Sequence, residues 1–294
     1  MLLVSAGAVR ALIAASITGA APLAIAAVAG VLCERAGVVN IALEGLMLAG
    51  AFAGAWAGQT SWPLGLTAVV ATGAAIGLLH AFLTQKMRMD HVVSGLGINL
   101  LAAGTTRFLA LVLFPEGMRV AGLPVMPWIV AAVVLPPLVM LVLHATPFGL
   151  RLRASGEDPM ATAMAGVSPV SVRFAAVTIS GILAAFAGAY LSMADAHTFS
   201  SGMSAGKGYV ALAAVIFGKW KPVGAAAAAL FFGFFYALQT QLQIAGAHLV
   251  WLGVNWTSPY LLDSVPYAMT ILALVSVVGR AQPPRALGIS EAGL

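Results

Sequence analysis

Charge is what this chain of 294 residues has least of: 14 Lys and Arg and nine Asp and Glu make up only 8% of it. A soluble globular protein carries about 25%, so there is too little charge here to cover a soluble surface. Cysteine is nearly absent as well. Cys33 stands alone, which excludes an intrachain disulfide and a thiolate metal cluster. There is no His-Glu-x-x-His, no paired aspartates and no phosphate-cradling glycine loop, so no metal site is expected and the chain does not hydrolyse ATP itself. Strict apolar–polar alternation is missing too, which argues against a membrane barrel. Ionisable groups inside the apolar runs are few, and ion-driven carriers depend on such groups.

What remains is apolar: 61% of residues are hydrophobic and the mean hydropathy is +1.01. Runs of about 20 apolar residues predict an all-α polytopic membrane protein, with residues 1–294 forming one transmembrane domain. Nine segments are read, at roughly 10–32, 36–58, 63–84, 92–114, 127–145, 170–194, 205–218, 222–244 and 259–279. The first is longer than a signal-peptide core and is read as a retained span. Ser168-Pro169 is an N-cap and first-position pair opening segment six, and Pro127 and Pro222 open two others. Pro136-Pro137 lies inside segment five and predicts a kink. Segment seven is short and is read as either spanning or re-entrant.

The net charge of +5 marks sidedness rather than nucleic-acid binding. If alternate connections share a side, one side receives Arg35, Lys86, Arg88, Arg151, Arg153, Arg173, Lys219, Lys221, Arg280 and Arg285. The other receives Arg10, Arg119 and Lys207, and Arg107 falls inside segment four. Basic residues gather in the cytoplasm, which places the C-terminal tail, residues 280–294, there and the N-terminus outside. Gly50, Gly54 and Gly58, and Gly73 and Gly77, recur at four-residue spacing and predict close helix packing.

Three sets of polar residues interrupt the apolar pattern. Ser94, flanked by His80 and His91, fits polar helix ends better than the nucleophile and base of an intramembrane hydrolase. Asn40, Glu44, Asn99 and Arg107 fall within spans and are candidates for lining a pathway; Glu44 and Arg107 are within reach of an ion pair. The third set is a polar island at residues 149–169, which cannot lie in hydrocarbon. In it Arg151 and Arg153 precede Gly156, Glu157 and Asp158. Asp158-Pro159 starts a two-turn helix with the small residues Ala161, Ala163 and Ala165, and Gly166 stops it. Such a helix suits either a partner's groove or the lipid interface.

At this point the residues resemble a known family. The stretch from Glu34 through Asn40-Ile-Ala-Leu-Glu44-Gly45 to Phe52 is similar to the signature of ABC-importer permeases for simple sugars and nucleosides. Their wider group includes the branched-chain amino-acid permeases. The likeness continues through Asp90-His91-Val-Val-Ser94 to Asn99, through the island, and through Gly206-Lys-Gly208-Tyr209 to Gly224. Lys219 and Lys221 depart from it, standing where more neutral residues are expected, and one N-terminal span of longer relatives is not seen.

The resemblance implies a type II importer-like permease in the inner (plasma) membrane, with no cofactor of its own and no enzymatic activity. It implies a second permease, identical or paralogous, an external binding protein or lipoprotein, and a cytoplasmic ABC ATPase that binds ATP and Mg. It also implies that Gly156, Glu157, Asp158, Pro159, Ala161, Ala165 and Gly166 couple this chain to that ATPase, and Arg151 and Arg153 of the same island are candidates for the same contact. The expected cargo is a nucleoside or related simple sugar. A branched-chain amino-acid permease of the same wider family, or a stand-alone secondary carrier or channel, stays open as an alternative.

Overall fold

The computed structural model describes residues 6–120, 122–244, 250–251, 254–255, 261, 264–265, 268–269, 271 and 282–289. Segment nine falls mostly outside them. The elements in chain order are α1 (Ala6–Arg35), α2 (Leu43–Gly58), α3 (Trp62–Ala81), α4 (His91–Leu113), β1 (Met118–Arg119), α5 (Met126–Ala145), α6 (Pro147–Glu157), α7 (Pro159–Met164), α8 (Pro169–Tyr190), β2 (Thr198–Phe199), α9 (Lys207–Phe217) and α10 (Pro222–Ile244). π-helical turns at Phe82–Lys86 and Leu191–Asp195 extend α3 and α8. Among the described residues six helices are long and apolar enough to cross a membrane: α1, extended α3, α4, α5, extended α8 and α10.

Start signals in the sequence act as read. The Ser168 hydroxyl accepts from the Ser171 N–H and the Asp158 carboxylate from the Ala161 N–H, each satisfying an N–H that the first helical turn leaves open. Helix α5 runs without interruption through Pro136 and Pro137. Buried side chains concentrate on α1, α2 and α8, with α8 packed on α1, α2 and α3. The glycine spacing explains how closely these helices approach. A Cβ on Gly50 would stand 2.1 Å from the Ala185 carbonyl, and one on Gly188 1.8 Å from that of Met47. In lipid such backbone approach, rather than hydrophobic exclusion, holds helices together.

Two of the apolar segments are discontinuous. The second apolar segment, read from residue 36, becomes helical only at Leu43, because residues 36–42 lie outside any helix. The seventh contains an 11-residue helix, α9, which is about 16 Å long and half a hydrocarbon core. Its segment nevertheless runs from one end of the bundle to the other. On the N-terminal side β2 pairs antiparallel with β1, Met118 facing Phe199, beyond the far end of α4. On the C-terminal side Trp220 reaches Glu34 at the end of α1. The end of the bundle holding Arg35, Glu157, Lys219, Lys221 and Arg285 around one cavity is the basic end read from the sequence, and residues 282–289 of the tail lie there with α6 and α7.

Candidate functional site

Many of the polar side chains inside the bundle serve the two breaks. In residues 36–42 the Ala36, Gly37 and Val38 N–H groups bond back to the end of α1 and Ala42 O to the Leu46 N–H; the remaining buried backbone groups must be satisfied elsewhere. Ala36 O accepts from Arg173 Nε (3.1 Å) and from the Ser155 hydroxyl (3.4 Å). Gly37 O accepts from the Gly288 N–H (3.0 Å). The Val39 N–H donates to His91 Nδ1, while Val39 O lies 3.1 Å from His80 Nε2. Ile41 O accepts from Asn99 Nδ2 (2.9 Å). Asn40, fully buried, donates to the Ser180 hydroxyl at 3.0 Å.

Glu44 closes the second break. One carboxylate oxygen accepts from the Ser204 hydroxyl (2.6 Å) and the Gly206 N–H (2.9 Å), the other from the Gly208 N–H (2.7 Å). Gly206 precedes α9 with φ +79°, so Glu44 sits on the positive end of that half-length helix, where a carboxylate is favoured. Close by, Asn99 Oδ1 accepts from the Gly45 N–H (2.7 Å) and Asn99 Nδ2 donates to the Tyr209 hydroxyl (3.0 Å). Ser180 and Asn99 lie about 16 and 12 Å up α8 and α4 from the basic end. The starts of α2 and α9 therefore meet near mid-depth, within one polar layer of Asn40, Glu44, Asn99, Ser180 and Tyr209. Discontinuous helices with exposed ends at mid-depth are how transporters build a site inside a membrane.

Three of the four pathway residues read from the sequence come together in this layer, and Arg107 does not join them. The Glu44–Arg107 ion pair is not formed. Because α2 starts at Leu43, Glu44 stands in its first turn at the level of Asn99, and Arg107 is eight residues farther along α4, about 12 Å, on an exposed face. Tyr209, half-exposed at 43% and joined to Asn99, was missed; its place in Gly206-Lys-Gly208-Tyr209 was the available signal. Ser94 Oγ does lie 2.8 Å from His80 Nδ1. Both residues are buried and the other His80 nitrogen faces the Val39 carbonyl, so the pair supports the broken segment.

At the basic end the island is more ordered than its composition suggests. Residues 147–157 form α6, whose Thr146 N-cap accepts from the Gly149 N–H. Thr146-Pro147 carried the same signal as Asp158-Pro159 and was not read. Arg153 half-buries and donates to Leu143 O (2.9 Å), closing the end of α5, while Arg151 is exposed. Gly156 packs on the Arg35 carbonyl, where a Cβ would come within 2.1 Å. Glu157 Oε1 lies 4.0 Å from Arg35 Nη1, the one ion pair among the described residues. In α7 Pro159 is buried, Ala161, Ala163 and Ala165 are exposed, and Gly166 ends the turn at φ +80°. Met160 and Met164 project beside them, Met164 at 81% exposure.

Arg173, read from the sequence only as a marker of sidedness, joins the two levels. It is fully buried and donates to Ala36 O, to Gln85 Oε1, to Ile289 O and, through Nη2, to Ser155 O at 3.2 Å. One guanidinium thus holds α6, the broken segment 36–42, the end of α3 and the tail. A planar fork of five donors suits such multiple carbonyl contacts.

Comparison with known proteins identifies the family of this chain. The family described as the permease component of the branched-chain amino acid transport system matches residues 12–274. The guanosine ABC transporter permease protein NupQ of Bacillus subtilis is 37% identical, over 95% of each chain. The nucleoside ABC transporter permease protein NupC of Lactococcus lactis is 35% identical, over 92% of each. The ribose import permease protein RbsC of Escherichia coli is 28% identical over 64% of this chain and 65% of its own. The chain is a multi-pass membrane protein and belongs to this family of ABC transporter permeases.

Proposed function

We propose that this chain is one permease subunit of an ATP-driven importer for nucleosides, working with a second permease, a cytoplasmic ABC ATPase and an extracytoplasmic binding protein. The observation that carries the reading is the connection between levels. Helix α6, Arg173 and residues 36–42 form one hydrogen-bonded path from the basic end to the mid-depth layer. A movement of α6 and α7 imposed by a partner is transmitted to the start of α2 and, through Glu44, to α9. That is the bistable element alternating access requires.

In this reading the basic end faces the cytoplasm, consistent with the positive-inside rule, and nine segments cross the membrane, α2 and α9 as broken spans. Residues 149–169 dock on the ATPase, with Gly156, Glu157, Asp158, Pro159, Ala161, Ala165 and Gly166 shaping the contact and Met160 and Met164 filling it. Arg153 positions α6 on α5. ATP and Mg bind the partner, not this chain. The mid-depth layer offers amides and hydroxyls with one carboxylate already fully engaged, which suits an uncharged polar ring better than a zwitterion. The similarity to guanosine and nucleoside permeases supports the same cargo.

The test is competition. In vesicles containing the assembled transporter, excess unlabelled nucleoside should abolish uptake of labelled guanosine, and leucine should not. Leucine uptake without nucleoside uptake would replace this reading with the amino-acid alternative.

A further inference from the structure

The basic end carries a cavity of about 660 Å³ that shares only Glu157 with the coupling residues. Among the described residues four cations line it, Arg35, Lys219, Lys221 and Arg285, against the carboxylate of Glu157. Arg35 already gives its Nε to the Trp220 carbonyl (2.8 Å) and stands 4.0 Å from Glu157. The cavity is left with a net positive charge that draws an anion.

The turn presenting the lysines is built rather than incidental. Lys219 and Trp220 both adopt left-handed backbone, at φ +54° and +53°, which residues with side chains rarely do. Trp220 is held inward by its indole N–H on Glu34 and its carbonyl on Arg35. Lys219 and Lys221 consequently flank a buried anchor and both line the cavity.

What lies next to it identifies the anion. Helix α1 ends at Arg35 and α10 begins at Pro222, so the cavity stands at the boundary of the apolar spans, where lipid headgroups lie. Two residues beyond Lys221, Val223 lines an apolar groove of about 690 Å³ between α1, α5 and α10, along Ala24, Val133, Pro137 and Leu230. Several groove side chains are exposed, among them Val133 and Leu230. A cationic cavity at the water boundary, lined by Lys221, and an apolar groove that begins two residues on at Val223 match the two halves of a phospholipid.

We propose that this is a binding site for an anionic phospholipid: its phosphate headgroup sits among Lys219, Lys221, Arg35 and Arg285, and an acyl chain lies in the groove. The headgroup bridges the end of α1, the turn before α10 and the tail beside Glu157 of α6, so the state of the coupling end depends on the charge of the surrounding lipid.

The test uses the transporter purified with its partner subunits, in phosphatidylcholine nanodiscs with and without phosphatidylglycerol, read by thermal unfolding and bound-lipid titration. Phosphatidylglycerol should raise the unfolding temperature of the unchanged protein. In the Lys219→Gln/Lys221→Gln variant that rise should vanish, with phosphatidylglycerol bound about tenfold or more weakly, while unfolding in pure phosphatidylcholine stays as before. Lys86→Gln/Arg88→Gln, which removes two exposed cations outside the cavity, should keep the rise. Should the lysine variant fail to fold, Arg285→Gln in the exposed tail replaces it. Three results would overturn the site: a rise that survives the lysine substitutions, equal stabilisation by inorganic phosphate in pure phosphatidylcholine, or no lipid effect together with loss of the ATPase from the lysine variant. The second would mean a free anion, the third an acidic protein surface.

Discussion

Arg173 Nη2 donates to the carbonyl of Ser155 at 3.2 Å while its Nε holds Ala36 at 3.1 Å. Ser155 belongs to α6 at the basic end, and Ala36 opens the unwound segment that leads to Asn40 and Glu44. The guanidinium is wholly buried, so neither contact is interchangeable with water.

Arg173→Lys keeps the charge but has too few donors, and the wrong geometry, to hold four acceptors. The ATPase should still copurify and hydrolyse ATP, while uptake falls at least about tenfold. Parallel measurement of hydrolysis and uptake checks this. An equal loss of both would make Arg173 a structural support only.

Glu44→Gln removes the negative charge from three donors at the start of α9. A hydrogen bond to a charged group contributes about 1.5–3 kcal/mol, so a lower unfolding temperature in detergent and a loss of uptake are expected. An unchanged unfolding curve would show that α9 does not depend on this cap.

Met164→Glu places a charge on a side chain that touches little of its own protein. Surface changes of this kind usually alter stability by less than about 0.5 kcal/mol, so the permease should accumulate normally in the membrane yet lose its ATPase on purification. Undiminished copurification would remove α7 from the docking surface.

Tyr209→Phe deletes the hydroxyl that meets Asn99 and leaves the ring. A rise in the uptake KM with normal assembly is expected, because Tyr209 is the half-exposed residue joined to Asn99 in the mid-depth layer. Identical transport constants would take Tyr209 out of the pathway.

Gly188→Val drives a side chain into the Met47 carbonyl and should prevent accumulation of the protein, whereas Gly104→Ala, with nothing within 4 Å of its Cβ, should be silent. Membrane-fraction immunoblots distinguish the two.

Much of this was legible in the sequence because it depends on local rules. Apolar length located the helices, Ser168-Pro169 and Asp158-Pro159 marked their starts, and glycine spacing marked the close contacts with α8. The breaks were harder to see. Residues 36–42 are nearly all apolar, so hydropathy continues through them, and only the Gly37 and Asn40 positions hint that the helix has stopped. Placing Glu44 deep in a continuous helix followed from that, and so did the ion pair with Arg107 that the structure does not form. Arg173 looked like one more basic residue near a span end because its partners, Ala36, Ser155, Gln85 and Ile289, come from four separate parts of the chain. Such tertiary hydrogen bonds leave no periodic trace. The proposed docking surface was read from the alanines, while Met160 and Met164, exposed beside them, passed as ordinary apolar residues.

The central claim is that transport here is driven from outside this chain, by ATP acting at the basic end. The most direct measurement is guanosine uptake into vesicles containing the full transporter, with ATP supplied to the basic face and the partner ATPase either active or inactivated. Uptake that needs both ATP and an active ATPase is the predicted result. Uptake that persists with the ATPase inactivated would contradict the account and make the chain a stand-alone carrier or channel.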